Sequence, residues 1–322
     1  MKSSRWPLTL ALVIVVAGIV ASGVAYLATR KSGPELSLAF VPASANVVGQ
    51  VDVAAFASSP LAETWNRADD GEQDSRAVDE LFDAVGVDLL RDVEDVTFSF
   101  AAKEGSGAAD RWGLVATGRF DADEIVRRIG RNEPGVETEE HAGTRVYRLR
   151  RAEKGESALA FLHGGSTLVL GETTYVREML DSGSGKSASA VALVESFGPD
   201  AFAGETFWLA GSSSGAISPL LGESNPLPAL ERFALSGRLE AELVLRAQGR
   251  ASSPESAQEL VDVLRGLVAL GRINAGKENR ELAALAESVS IDRLERDIDV
   301  HLSVPYETIR KLSERNRKEA EE

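Results

Sequence analysis

The chain has 322 residues, 43% of them apolar and 26% charged, with a net charge of −15 and no cysteine. That composition supports a folded core rather than disorder, and it excludes disulfides, thiolate catalysis and cysteine-based zinc sites. The acidic balance argues against nucleic acid, which needs a basic face to displace phosphate counterions.

Residues 7–28 form an uncharged run, PLTLALVIVVAGIVASGVAYLA. At about 1.5 Å per residue a helix of that length spans a hydrocarbon layer of ~30 Å. Trp6 and Tyr26 fall near its ends, where amphipathic rings favour the interface, and Lys2, Arg5, Arg30 and Lys31 flank it. A short N-terminal tail before a large domain predicts a single-pass anchor in a bacterial inner membrane, with the main domain on the periplasmic side. The alternative is a cleaved signal peptide, for which Ala21, Gly23 and Ala25 supply small residues. Residues 1–30 are therefore the anchor or signal segment, and 31–35 a linker broken by Gly33-Pro34.

Next, Val47, Val48, Val51 and Val53 predict a strand. Val78, Leu81, Phe82 and Val85 predict a helix over 75–90. VEDVTFSFAA and RWGLVATGRF read as two strands joined by the loop 103–110. Asp121 is placed to cap a helix, with Glu124 at the capping-box position. Hairpins are predicted to turn at Ala142-Gly143 and at Gly164-Gly165. A helix follows from Thr174 to Leu180, then a Gly/Ser-rich stretch over 181–189 that reads as flexible. In the second half ETFWLAG reads as a strand and RFALSGRLEAELVLRAQG as two. Pro254 starts a helix through Leu270, whose apolar face at Leu260, Val261, Leu264, Leu267 and Val268 is assigned to the protein's own core. SVSIDRLERDIDVHLSV supplies one or two further strands, and a charged helix runs from Tyr306.

The fold class expected from this pattern is α+β: an N-terminal transmembrane helix followed by antiparallel sheets packed with helices. A duplicated strand-strand-helix-strand unit is expected at 93–150 and 231–304, within a first half over 36–200 and a second over 201–322.

Three motifs touch on chemistry. Gly211-Ser212-Ser213-Ser214-Gly215 matches the G-x-S-x-G of a nucleophile elbow, which makes Ser213 a candidate nucleophile. His163-Gly164-Gly165 precedes it, and Asp292, Asp297 or Asp299 and then His301 follow in hydrolase order. The context does not suit an elbow: Pro219 stops the segment that should become a supporting helix, and His301 alternates with Val300 and Leu302 inside a strand. Gly183 to Ser187 resembles the end of a phosphate-binding loop, but the first glycine position is Leu180 and a helix precedes it. No two of His141, His163 and His301 sit at metal-ligand spacing, Glu139-Glu140-His141 alternates across a strand, and the acids Asp69, Asp70, Glu72 and Asp74 lack calcium-loop order. No cofactor or metal is assigned.

FVPASANVVGQVDVAAF, DELFDAVGVDLLRDVEDVTFSF, GTRVYRL and ALAFLHGGSTLVLGETTYVREML follow one another over residues 36–215. This order resembles the bacterial membrane-anchored envelope proteins of domain-of-unknown-function family 3352. The resemblance implies an anchored, exported domain and carries over no catalytic residue. The expected function is a non-enzymatic envelope protein that binds a protein, lipid or wall polymer, with the inner membrane as partner through residues 7–28. An exported serine hydrolase using Ser213 and His301, and a structural or signalling partner of another membrane protein, are the alternatives.

Overall fold

The structure, a computed structural model, describes residues 37–62, 87, 89–101, 111–132, 136–151, 155–198, 201–212, 230–275 and 280–311. The membrane segment expected over 7–28, the loop 103–110, the acids 69–74 and nearly all of the helix expected over 75–90 lie outside the described residues. Among the described residues no helix is long and apolar enough to cross a membrane.

In chain order the elements are β1 (Val47–Asp52), α1 (Val53–Ala57), α2 (Leu89–Asp92), β2 (Val93–Ala101), β3 (Arg111–Gly118), α3 (Ala122–Asn132), β4 (Glu137–His141), β5 (Thr144–Arg151), β6 (Gly155–Leu162), a 3₁₀ turn (His163–Gly165), β7 (Thr167–Glu172), α4 (Thr173–Gly183), α5 (Val191–Glu195), β8 (Phe207–Ser212), β9 (Leu230–Leu239), β10 (Leu243–Ala251), α6 (Pro254–Ala275), α7 (Arg280–Ser288), β11 (Ser290–Leu294) and β12 (Asp297–Val304). Local chemistry accounts for many of the boundaries. The Asp121 carboxylate accepts the Glu124 N–H at 2.9 Å before α3. Glu172 accepts the N–H groups of Thr174 and Tyr175 at 2.9 and 2.8 Å before α4, so two orphan donors of its first turn are satisfied. Ala142 and Gly143 both hold positive φ, 50° and 77°, as a two-residue hairpin turn between β4 and β5 requires.

All twelve strands belong to one antiparallel sheet, ordered β11-β12-β10-β9-β8-β1-β2-β3-β7-β6-β5-β4. This corrects the expected α+β arrangement: among the described residues the protein is mostly a single wide sheet with few helices, not separate sheets packed with helices. The cause is β1, where Val47–Val51 pairs with Phe100–Val96 of β2 on one side and with Gly211–Phe207 of β8 on the other. The segments 36–200 and 201–322 thus share one hydrogen-bonded ladder. The expected strand-strand-helix-strand unit is corrected as well. Beyond β3 and α3 the chain returns through four strands, whereas beyond β10, α6 and α7 it returns through two.

Period-two alternation gives each strand two faces. On the first face Val115, Val169, Ala158 and Ala160 pack under Tyr175, Val176, Met179 and Leu180 of α4. Beside them Leu38, Val41 and Val48 meet Trp208, Ala210 and Ala234. On the second face Leu114, Leu159, Leu168 and Leu170 pack with Phe56, Phe120, Ile125 and Ile129, and farther along Ala257, Leu260 and Val261 of α6 cover Leu230, Ala251 and Ile298. The apolar face assigned to the core is only partly used. Val263, Leu267 and Leu270 stay 42–45% exposed, and Ile273 72%. The stretch 181–189, expected to be flexible, is tied down: Lys186 N–H donates to Asp181 O at 2.8 Å, the Ser182 and Ser187 hydroxyls are 2.9 Å apart, and Ser189 bridges to Pro42.

Candidate functional site

Ser213 lies outside the described residues. His301, its expected partner, is on β12 with Nε2 3.0 Å from Asp299 Oδ1. Asp299 is shared: Arg246 Nε donates to both of its oxygens at 3.0 Å and Arg246 Nη2 adds a second contact. That hydrogen bond holds the Arg246 guanidinium above its ordinary pKa. The acid expected to orient His301 is therefore neutralised by a cross-strand arginine.

The other two histidines are elsewhere on the sheet. His163 tips the β6–β7 turn with φ 51°, its Nδ1 3.1 Å from Thr167 Oγ1 and its ring 6.4 Å from that of Phe40. His141 pairs with Asp181 at 3.0 Å, and the neighbouring Glu139 forms two 2.7 Å bonds to Arg177 that hold its carboxyl below the usual range. These contacts fasten the edge hairpin to α4. Among the described residues no group of three or more His, Asp or Glu is placed to hold a metal ion.

The three aspartates do converge. Asp292 stands opposite Asp299, and Arg250 of β10 stands opposite Asp297 of β12 and Arg232 of β9. Alternation puts all of these on the first face, beyond the point where α4 and α5 stop covering it. Phe197, just after α5, forms a wall, and the open groove beside it has a volume of about 360 Å³. All four strands contribute charge to it, and β11 adds Arg293 beside its aspartate. Arg232 and Arg250 occupy β9 and β10, while Asp297, Asp299 and Asp292 occupy β12 and β11. The Arg232 guanidinium lies 5.2 Å from the centre of the Phe197 ring, and Arg250 reaches Asp297 at 3.5 Å. Asp292 has no ion-pair partner among the described residues. A wider hollow of about 510 Å³ lies against the β4–β5 hairpin, but among the described residues only Thr138, Glu139, Glu140, Gly143 and Arg145 of that hairpin line it.

One titratable residue escaped the sequence reading. Asp95 of β2 is 7% exposed, between Asp52 of β1 and Thr117 of β3, whose hydroxyl donates to its Oδ2 at 3.4 Å. Burial, then the Asp52 charge, pushes its pKa up to about 7. The available signal was phase: Asp95 shares alternation with Thr97 and Ser99, both fully buried.

No family model matches the chain, and no curated protein or solved structure is significantly similar to it.

Proposed function

We propose that the chain is a non-enzymatic bacterial envelope protein, held at the inner membrane through residues 7–28, whose exported domain binds a polar wall polymer in the β9–β12 groove. The observation that carries this reading is the groove itself: an open trough floored by four hydrogen-bonded strands and walled by an aromatic ring, lined by arginine, aspartate and Gln248 together with Leu294 and Ile298. Four strands at ~4.8 Å spacing give a floor about 14 Å wide, enough for several hydrogen-bonding units of a chain-like ligand. A polar polymer can pair with the arginine, aspartate and Gln248 groups while its apolar ring faces rest on Phe197 and Leu294, whereas an acyl chain would strip water from those charged groups without giving them new partners. The Asp299–His301 pair is engaged by Arg246, which favours binding over hydrolysis.

The test is co-sedimentation of the full-length protein, in mild detergent, with purified wall sacculi. The expected result is pelleting that falls at least several-fold in Gln248→Ala/Asp292→Asn. Undiminished pelleting of that variant, or binding to envelope protein alone, overturns the reading. The exposed stripe Val263, Leu267, Leu270 and Ile273 on α6 supports a second reading, a protein partner, and that partner would be lost in Leu267→Glu/Ile273→Glu while sacculus binding persists.

A further inference from the structure

Cross-strand pairs of like charge on one face are destabilising, because their Cβ atoms stand only about 5 Å apart. Arg232 and Arg250 are such a pair. Among the described residues Arg250 has a single carboxylate within reach, Asp297 at 3.5 Å, and both side chains are partly exposed, 40% and 52%. Arg232 has no carboxylate partner among the described residues. Its guanidinium is held against the Phe197 ring instead, a contact that fixes its position without neutralising its charge. In a chain with a net charge of −15, acidic side chains are plentiful, yet among the described residues only Asp297 is within ion-pair distance of this pair. Two adjacent guanidinium groups, one fixed by an aromatic ring, form a fork that accepts the paired oxygens of a phosphate or carboxylate.

We propose that Arg232 and Arg250 clamp an anionic group of the ligand, a phosphate or a carboxylate, at the Phe197 end of the groove. Phe197 sets the height of Arg232, and Asp297 holds Arg250 in place until the anion displaces it. This deepens the binding reading and rests on it, since it names the chemistry of one end of the same groove. Phosphodiester and carboxylate polymers share this chemistry, and the test separates them.

The experiment follows the thermal midpoint of the full-length protein in detergent during titration with inorganic phosphate or with acetate, at constant ionic strength made up with chloride. The expected result is a saturable rise with at least one anion, absent in Arg232→Gln and in Arg250→Gln and retained in Arg127→Gln, which removes an exposed arginine of α3 outside the groove. Arg250→Gln without anion is expected to melt no lower than the parent, because the repulsion is relieved, which separates loss of the clamp from loss of the fold. A rise with phosphate alone assigns a phosphodiester source and a rise with acetate alone a carboxylate. No saturable rise with either, or an equal rise in Arg232→Gln, overturns the clamp. If the clamp fails while sacculi still pellet the parent and not Gln248→Ala/Asp292→Asn, the groove reading stands without it. If both fail, the groove is not the site.

Discussion

Asp95 is the residue whose placement departs furthest from its chemistry. A carboxyl prefers water, yet this one sits in the core between Asp52 and Thr117 and is held partly protonated near neutral pH. Its folded pKa, about 7, lies above its unfolded value of 3.8. The native state therefore binds the proton more tightly, and stability falls as pH rises through the window between those values. Replacing Asp95 by Asn keeps the shape and removes the charge. The expected outcome is that Asp95→Asn gains on the order of 2–4 kcal/mol over the parent at pH 8 and little at pH 4. Denaturant midpoints of the two proteins at pH 4, 6 and 8 measure this, and parallel pH profiles would contradict it. Asp292, Asp297, Asp299 and His301 were visible in the sequence as a set, because they follow Ser213 in hydrolase order. Their proper pairing was not, because Arg246 is more than fifty residues away and only register brings it to Asp299.

Among the elements, the central strands are fitted together by glycine and phenylalanine. Gly49 faces Phe98, Gly211 faces Phe233, and Gly237 faces Phe207, each pair in direct cross-strand register on the second face. A Cβ built on Gly49 would come within 2.2 Å of the Phe98 ring, and one on Gly237 within 2.1 Å of Phe207. The outer end of each ring fills the space above the glycine and shields the backbone that a side chain would otherwise cover. Replacing glycine by alanine ordinarily gains about 0.4–1 kcal/mol through the unfolded chain. Here overpacking, about 1–3 kcal/mol, outweighs it. Gly237→Ala is expected to lower stability by roughly 1–2 kcal/mol in a denaturant titration, and an unchanged or raised midpoint would show that the ring moves freely. The hairpins at Ala142-Gly143 and Gly164-Gly165 and the starts of α3 and α4 were legible, because turn and cap chemistry is local. Gly211 reads only as the first glycine of G-x-S-x-G, and nothing local marks Gly49 or Gly237, since the ring that completes each one belongs to another strand.

For the whole molecule, the sequence showed the strands but not their number in one sheet. Sheet count depends on which strand edges pair, and nothing local to VVGQVD marks β1 as lying between β2 and β8, the latter more than 150 residues on. Two arms that each read as a complete α+β unit are joined by that strand. The joining leaves the first face of the β9–β12 arm open beyond α4 and α5, and this opening is the groove. Its edge strands also fit a protein that avoids self-pairing: β4, at the far end, reads ETEEH and carries three glutamates. The central claim is that the first face of β9–β12 is the binding surface. Hydrogen exchange of the full-length protein with and without solubilised wall fragments tests it most directly. Slowed exchange across 232–250 and 292–299, with 137–151 unchanged, is the predicted result. Unaltered exchange in those strands, or protection confined to another part of the sheet, would contradict it.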